Sequence, residues 1–225
     1  MSIADLLPLS KKSREMRRVF QAIHEARAWG DCESSSGPGS TRERAASFLA
    51  DLVELVRSRR VETLLDAPCG DFNWAAPLAD SVPRYVGLDV VPALIEANRR
   101  TWASPRRRFL CRDMVRQRLP AADLVLCRDA LVHFSEADVF RTLVNLRRTG
   151  AEYLVTTTFV GDRSNDDIAT GGWRPLNLQR PPFSFPPPLE VVDERCHHTG
   201  GIYSDKRLAL WRLTDLPRLP AAPSG

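Results

Sequence analysis

The sequence predicts a doubly wound α/β fold built on a mostly parallel sheet, and three observations carry that expectation. Short apolar runs alternate with helix-compatible segments along most of the chain, the pattern of parallel strands joined by helices. Four acids, Asp66, Asp89, Asp113 and Asp129, fall at the ends of such runs, where open α/β sheets bind their ligands. The last two strand-like segments, Leu189 to Glu194 and Lys206 to Leu213, have no helical run between them.

A chain of 225 residues fits one domain with a substantial core. Hydrophobic residues make up 43% and charged residues 27%, ordinary proportions for a globular protein. No apolar run approaches the ~20 residues of a membrane span. The first positive charges follow the apolar residues of MSIADLLPLSKKSREMRR, the reverse of a signal peptide. Five cysteines are dispersed without CxxC spacing, which points to reduced thiols in a cytoplasmic protein and away from a disulfide framework or a metal site. The net charge of +4 is spread along the chain and by itself selects no partner.

In chain order, residues 10–28 read as an amphipathic helix, with Met16, Val19, Phe20 and Ile23 on one face. Trp29 to Ser40 is loop by composition. Trp29 and Glu33 are unusual in a spacer, so the loop reads either as a linker or as a lid over a site. Ser40-Thr41-Arg42-Glu43 has capping-box spacing and opens a second helix. The expected division is residues 1–40 as helix and lid-like loop, 41–215 as the main domain, and a loose Pro-rich tail over 216–225.

Val61 to Trp74, VETLLDAPCGDFNW, is the informative stretch. An apolar run ends on Asp66, passes a tight Pro68-Cys69-Gly70 turn and enters a helix-compatible run from Asn73 to Leu78. Strand, glycine turn and helix in that order present backbone N–H groups and a positive helix end to a polar ligand. Asp89 ends the next strand-like run about 20 residues on, within reach of a nucleoside ribose hydroxyl.

Asp66-Ala67-Pro68-Cys69-Gly70-Asp71 resembles motif I of the class I S-adenosylmethionine-dependent methyltransferases. It departs from the usual form in having Pro68 and Phe72 where glycines stand. WGxxESxSGxGS ahead of LDxPCGDFxW resembles one bacterial subgroup of that family. The resemblance covers about Arg42 to Leu213. It implies a seven-stranded sheet with an antiparallel C-terminal hairpin, and S-adenosyl-L-methionine as cofactor. The cofactor residues it implies are Asp66, Ala67, Pro68 and Gly70 in the turn, Asp89 at the ribose, and Asp113 and Met114 at the adenine. Arg128 joins that set, or instead binds an anionic substrate group or pairs with a nearby acid.

Beyond the cofactor half, Ala122 to Cys127 reads as a buried parallel strand. Arg128, Asp129 and His133 follow its end, and Ser135 to Asp138 has capping spacing ahead of another helix. Tyr153 to Thr158 is β-branched and strand-like. Val160 to Pro188 has no regular period, yet Trp173, Arg174, Asn177, Phe183 and Phe185 argue against disorder.

A sulfonium methyl is already electrophilic, so the protein has chiefly to align donor and acceptor. An acceptor that starts protonated also needs a base in reach. Asp129 and His133 are the candidates, Asp129 the stronger; His133 alternatively packs as a structural histidine. His197 and His198 are weaker candidates on a solvated turn. Trp29, Trp173, Arg174 and Asn177, on the two irregular loops, are the expected acceptor-binding residues. The leading reading is methylation of a hydroxyl, with an amine or carboxylate as the second choice, on a small molecule, glycan precursor or secondary metabolite. Methylation of RNA and a non-catalytic module on the same fold are the alternatives. A GxGxxG dinucleotide motif is absent.

Overall fold

Seven strands form one sheet in the computed structural model, which describes residues 9–196 and 200–217. In chain order they are β1 (Thr63–Asp66), β2 (Arg84–Asp89), β3 (Arg107–Cys111), β4 (Leu124–Cys127), β5 (Tyr153–Phe159), β6 (Glu190–Asp193) and β7 (Lys206–Arg212). Their order across the sheet is β3-β2-β1-β4-β5-β7-β6. The pairs from β3 through β5 are parallel; β7 runs antiparallel to both β5 and β6. The doubly wound parallel sheet with an antiparallel C-terminal end is therefore the one expected.

Alternation along each strand divides the core in two, because successive side chains leave a strand on opposite faces. Leu64, Leu124 and Leu126 face Phe48 and Leu52 of α2 (Arg42–Ser58). Leu65, Val125 and Cys127 face Leu143 of α5 (Glu136–Arg147). Every residue of β4 is buried, which is why it reads as an unbroken apolar run. Truncating Leu64 or Leu126 to Ala is expected to cost about 2–5 kcal/mol.

α1 (Lys11–Glu25) is capped by Ser10, whose Oγ accepts the Ser13 N–H at 3.1 Å. Met16 of this helix joins the main core and Phe20 packs against it, so α1 is packed on the sheet domain. The cap of α2 lies one residue later than expected: Thr41, not Ser40, accepts from the Arg44 N–H. Ser135 caps α5 as read. The helix expected over 73–78 is displaced to α3 (Ala76–Asp80), since Asn73 is drawn away by its own side-chain bonds. α4 (Pro92–Trp102) follows β2.

Leu216, expected to begin a loose tail, is buried, and the Leu216 and Pro217 carbonyls accept from the Arg147 guanidinium. The rest of that tail, and His197 and His198, lie outside the described residues. None of the described helices is long and apolar enough to cross a membrane.

Candidate functional site

A cavity of about 1020 Å³, open solvent at its mouth included, lies against the carboxyl ends of β1 to β4. Asp66, Asp89, Asp113 and Asp129 all line it, together with Pro68, Gly70 and Met114. The turn after β1 owes its path to three residues. A cis peptide joins Ala67 to Pro68, and Gly70 and Phe72 take positive φ, 53° and 59°. A Cβ on Gly70 would press into Ser36 Oγ, so glycine is required by both backbone and space. Phe72 takes a conformation that costs a side-chain-bearing residue about 1–2 kcal/mol. Its ring packs in return within 5.2–5.4 Å of the rings of Tyr85, Trp102 and Phe109.

The acids are not equivalent. Burial pushes the Asp66 carboxyl up to about 7, opposed by the Tyr85 hydroxyl, which donates to it at 2.6 Å. Burial likewise raises Asp89 to about 6, against backbone N–H groups that include Val91, donating at 2.9 Å. Asp113 accepts from the Val115 N–H through Oδ1, and its buried Oδ2 lies 3.7 Å from the Arg116 guanidinium. Burial raises its carboxyl, against the Ser13 side chain, the Val115 N–H and Arg116. Ala67 does not line the cavity, contrary to expectation. It is buried beneath the turn, with its N–H on the Leu126 carbonyl.

The loop from Trp29 to Ser40 is fastened across the turn. Asp71 Oδ2 accepts from the Ser34 hydroxyl at 2.9 Å and the Ser35 N–H at 2.7 Å, and the Asp71 N–H donates to Ser36 Oγ at 3.2 Å. Glu33 accepts from the Asn73 amide at 2.7 Å and the Arg42 N–H at 2.8 Å. The two motifs read separately in the sequence thus hydrogen-bond to each other.

On the other side of this loop is a second cavity, lined by Lys206, Phe159, Trp173 and Tyr203 among others. The two cavities share one wall, made of Trp29, Ser36, Arg128, Asp129 and His133. Within it lies an ion network. Arg128 donates to Glu194 Oε2 at 2.6 Å and to the Gly39 carbonyl at 2.9 Å, and stacks over Phe48 at 4.7 Å. Lys206 Nζ reaches Asp129 Oδ2 at 2.7 Å and Glu194 Oε2 at 3.2 Å. Of the roles considered for Arg128, pairing with nearby acids is the one its geometry displays.

Burial alone would raise the Asp129 carboxyl, but the Lys206 ammonium and Arg128 guanidinium hold it well below the usual carboxylate range. A carboxylate so firmly ionised is a poor proton acceptor, which removes the reason for preferring it as a base. His133 differs. Burial lowers its pKa, so the ring is neutral near pH 7. Its Nδ1 lies 2.8 Å from the Gly172 carbonyl, which can only accept, so Nδ1 carries the hydrogen and Nε2 is the basic nitrogen. Trp29 packs over the ring at a centroid distance of 4.9 Å.

Two expected acceptor residues belong elsewhere. Arg174 is 6% exposed and donates to the Leu131 and Val132 carbonyls. Asn177 is buried and donates to the Gly161 carbonyl. Neither lines either cavity; both brace the long irregular segment against its neighbours. Trp29 and Trp173 do line the second cavity. Lys206 and Glu194 went unremarked in the sequence, where they read as an ordinary strand start and strand end.

Residues 64–151 match the family model of a methyltransferase domain. No curated protein matches the sequence. Among solved structures, the N-methyltransferase NodS from Bradyrhizobium japonicum WM9 is 19% identical over 78% of this chain and 97% of that one, with a TM-score of 0.52. The same protein in complex with S-adenosyl-L-homocysteine matches over 62% of this chain and 72% of that one, with 19% identity and a TM-score of 0.50. The methyltransferase domain of bacterial CtHen1 is 19% identical with a TM-score of 0.44; the match covers 49% of this chain and 64% of that domain, less than two thirds of its length. At such identities the likeness is one of fold.

Proposed function

We infer that this chain, which carries an S-adenosylmethionine-dependent methyltransferase domain over residues 64–151, methylates a hydroxyl of a small molecule, glycan precursor or secondary metabolite in the cytoplasm. The observation that carries the reading is the wall common to two cavities, because donor and acceptor must meet across one surface.

The first cavity fits the cofactor. Asp89 would accept from ribose hydroxyls, and Asp113 would accept from the adenine amino group beside Met114. Gly70 leaves room for the chain to run close beneath it. Bound there, the cofactor supplies a methyl group on a positively charged sulfur. Asp66, paired with Tyr85, would face that charge and be ionised by it.

On the acceptor side, His133 Nε2 would take the hydroxyl proton, its tautomer fixed by the Gly172 carbonyl. Asp129 would hold Lys206 and Arg128 in place and remain ionised throughout. The loop fastened by Asp71 would keep water from the junction. Transfer of a labelled methyl group to pools of phenols, sugars, amines and RNA tests the reading. Label in a small-molecule hydroxyl pool is expected, reduced about 10²–10⁴-fold by His133→Ala. Label in RNA alone, or in no pool, would contradict it.

A further inference from the structure

We propose that Lys206 is the residue that selects and orients the acceptor, and that the acceptor is a phenol, bound flat in the second cavity with its oxygen on the Lys206 ammonium. The proposal deepens the reading of that cavity as the acceptor site and rests on it.

Lys206 is the first residue of β7, and its side chain is 10% exposed. It lines the second cavity and not the first, so it addresses the acceptor alone. An ammonium has three donors. Two are committed, to Asp129 Oδ2 and Glu194 Oε2; among the described residues none is recorded on the third. The charged and titratable groups around it are Arg128, Asp129 and His133 after β4, and Glu194 and Cys196 after β6. Asp129 Oδ2 and Glu194 Oε2 each take both cations, Asp129 Oδ1 takes the Thr157 hydroxyl, and Glu194 Oε1 is buried with no hydrogen-bond partner among the described residues. Two cations and two carboxylates leave the network neutral overall, and what Lys206 offers a ligand's oxygen is its third N–H.

Aromatic side chains line the cavity beside Lys206. Phe159, Trp173 and Tyr203 meet edge to face, with centroid distances of 6.3, 6.0 and 5.1 Å. Trp29 supplies a further aromatic surface where it packs over His133. Trp173 is 44% exposed, so its ring is accessible to a ligand in the cavity.

The step balances as follows. The phenol proton passes to His133 Nε2 while the Lys206 N–H holds the oxyanion. The oxygen forms its bond to the methyl carbon as the carbon–sulfur bond breaks, and sulfur keeps that electron pair. The aryl methyl ether leaves, and His133 returns its proton to solvent. An amine acceptor would instead present its own N–H groups to the Lys206 donor, a mismatch that a phenol oxygen avoids.

The test uses the full chain with 4-nitrophenol, 4-methylphenol and aniline as labelled-methyl acceptors, and compares wild type with Lys206→Gln and Lys206→Arg. Wild type is expected to methylate both phenols and not aniline. Lys206→Gln should lose about 10²-fold in turnover on 4-methylphenol, less on the more acidic 4-nitrophenol, and should need higher pH for half its maximal rate. Lys206→Arg should recover much of the loss, and cofactor affinity should be unchanged in both. A second readout needs no turnover: with S-adenosylhomocysteine present, wild type should bind 4-nitrophenol as the yellow phenolate below its solution pKa. Unaltered turnover and pH profile in Lys206→Gln, preference for aniline, or binding of 4-nitrophenol only in its neutral form or not at all would overturn the proposal. Methyl transfer to sugars or amines without phenols would sink it while sparing the methyltransferase reading; transfer to nothing would sink that reading too.

Discussion

Asp71 Oδ2 accepts a 2.7 Å hydrogen bond from the backbone N–H of Ser35, 36 residues earlier in the chain. The bond ties the loop over the cavities to the turn that underlies the first of them. The turn after β1 and the Trp29–Ser40 loop are in this way parts of one hydrogen-bonded unit.

Asp71→Ala should loosen that unit specifically. It removes the acceptor for the Ser34 hydroxyl and the Ser35 N–H, and bonds to a charged group contribute about 1.5–3 kcal/mol each. Hydrogen exchange should accelerate over residues 30–40 and little elsewhere, and cofactor dissociation should quicken. Unchanged exchange in that loop would show that it is held by something else.

Cofactor affinity should depend on pH through Asp89. Burial raises its carboxyl to about 6, while acceptance from ribose hydroxyls favours the ionised form. Affinity should therefore rise from pH 5 to about 8, the upper part through Asp66, which the cofactor's charge ionises, and level off above, with proton release on binding at pH 5.5. The sign for folding is opposite. A raised carboxyl contributes stability fully present below its ordinary 3.8 and lost as pH rises through about 6 for Asp89 and about 7 for Asp66. The cofactor-free melting temperature should carry a declining component over that window. Calorimetry in two buffers of different ionisation enthalpy, beside melting curves, checks both.

Asp129 and Lys206 should behave as a coupled pair. Asp129 is held far below the usual carboxylate range, so the stability it contributes is lost only on acidification well below pH 4. Asp129→Asn leaves two cations undercompensated and is expected to cost about 1–3 kcal/mol, under the figure for a fully buried pair because the side chain is 28% exposed. In urea unfolding, the double variant Asp129→Asn/Lys206→Gln should cost less than the two single variants together. Additive losses would contradict the pairing.

The fold was legible because its signals are local. The unbroken run Leu124–Cys127 marks a strand buried on both faces, and acids at strand ends mark the ligand side of the sheet. The lining of the first cavity was legible in part for the same reason, since Asp66, Gly70 and Asp89 lie within one strand–turn–helix–strand segment. The second cavity is assembled from distant parts of the chain. Lys206 meets Asp129 across 77 residues, and Arg128 meets Glu194 across 66, with nothing in either local pattern to announce it. Arg174 and Asn177 misled because a polar residue on an irregular loop looks the same whether it serves a ligand or a backbone carbonyl. The carbonyls of Leu131, Val132 and Gly161 that occupy them carry no sequence signature.

Calorimetric titration of the chain with S-adenosylmethionine at pH 7.5 tests the central claim most directly. Saturable one-to-one binding is predicted, weakened about ten- to a hundredfold in Asp89→Ala through loss of charge-assisted hydrogen bonds. Absence of binding, or equal affinity in Asp89→Ala, would contradict the placement of the cofactor in the cavity at the ends of β1 to β4.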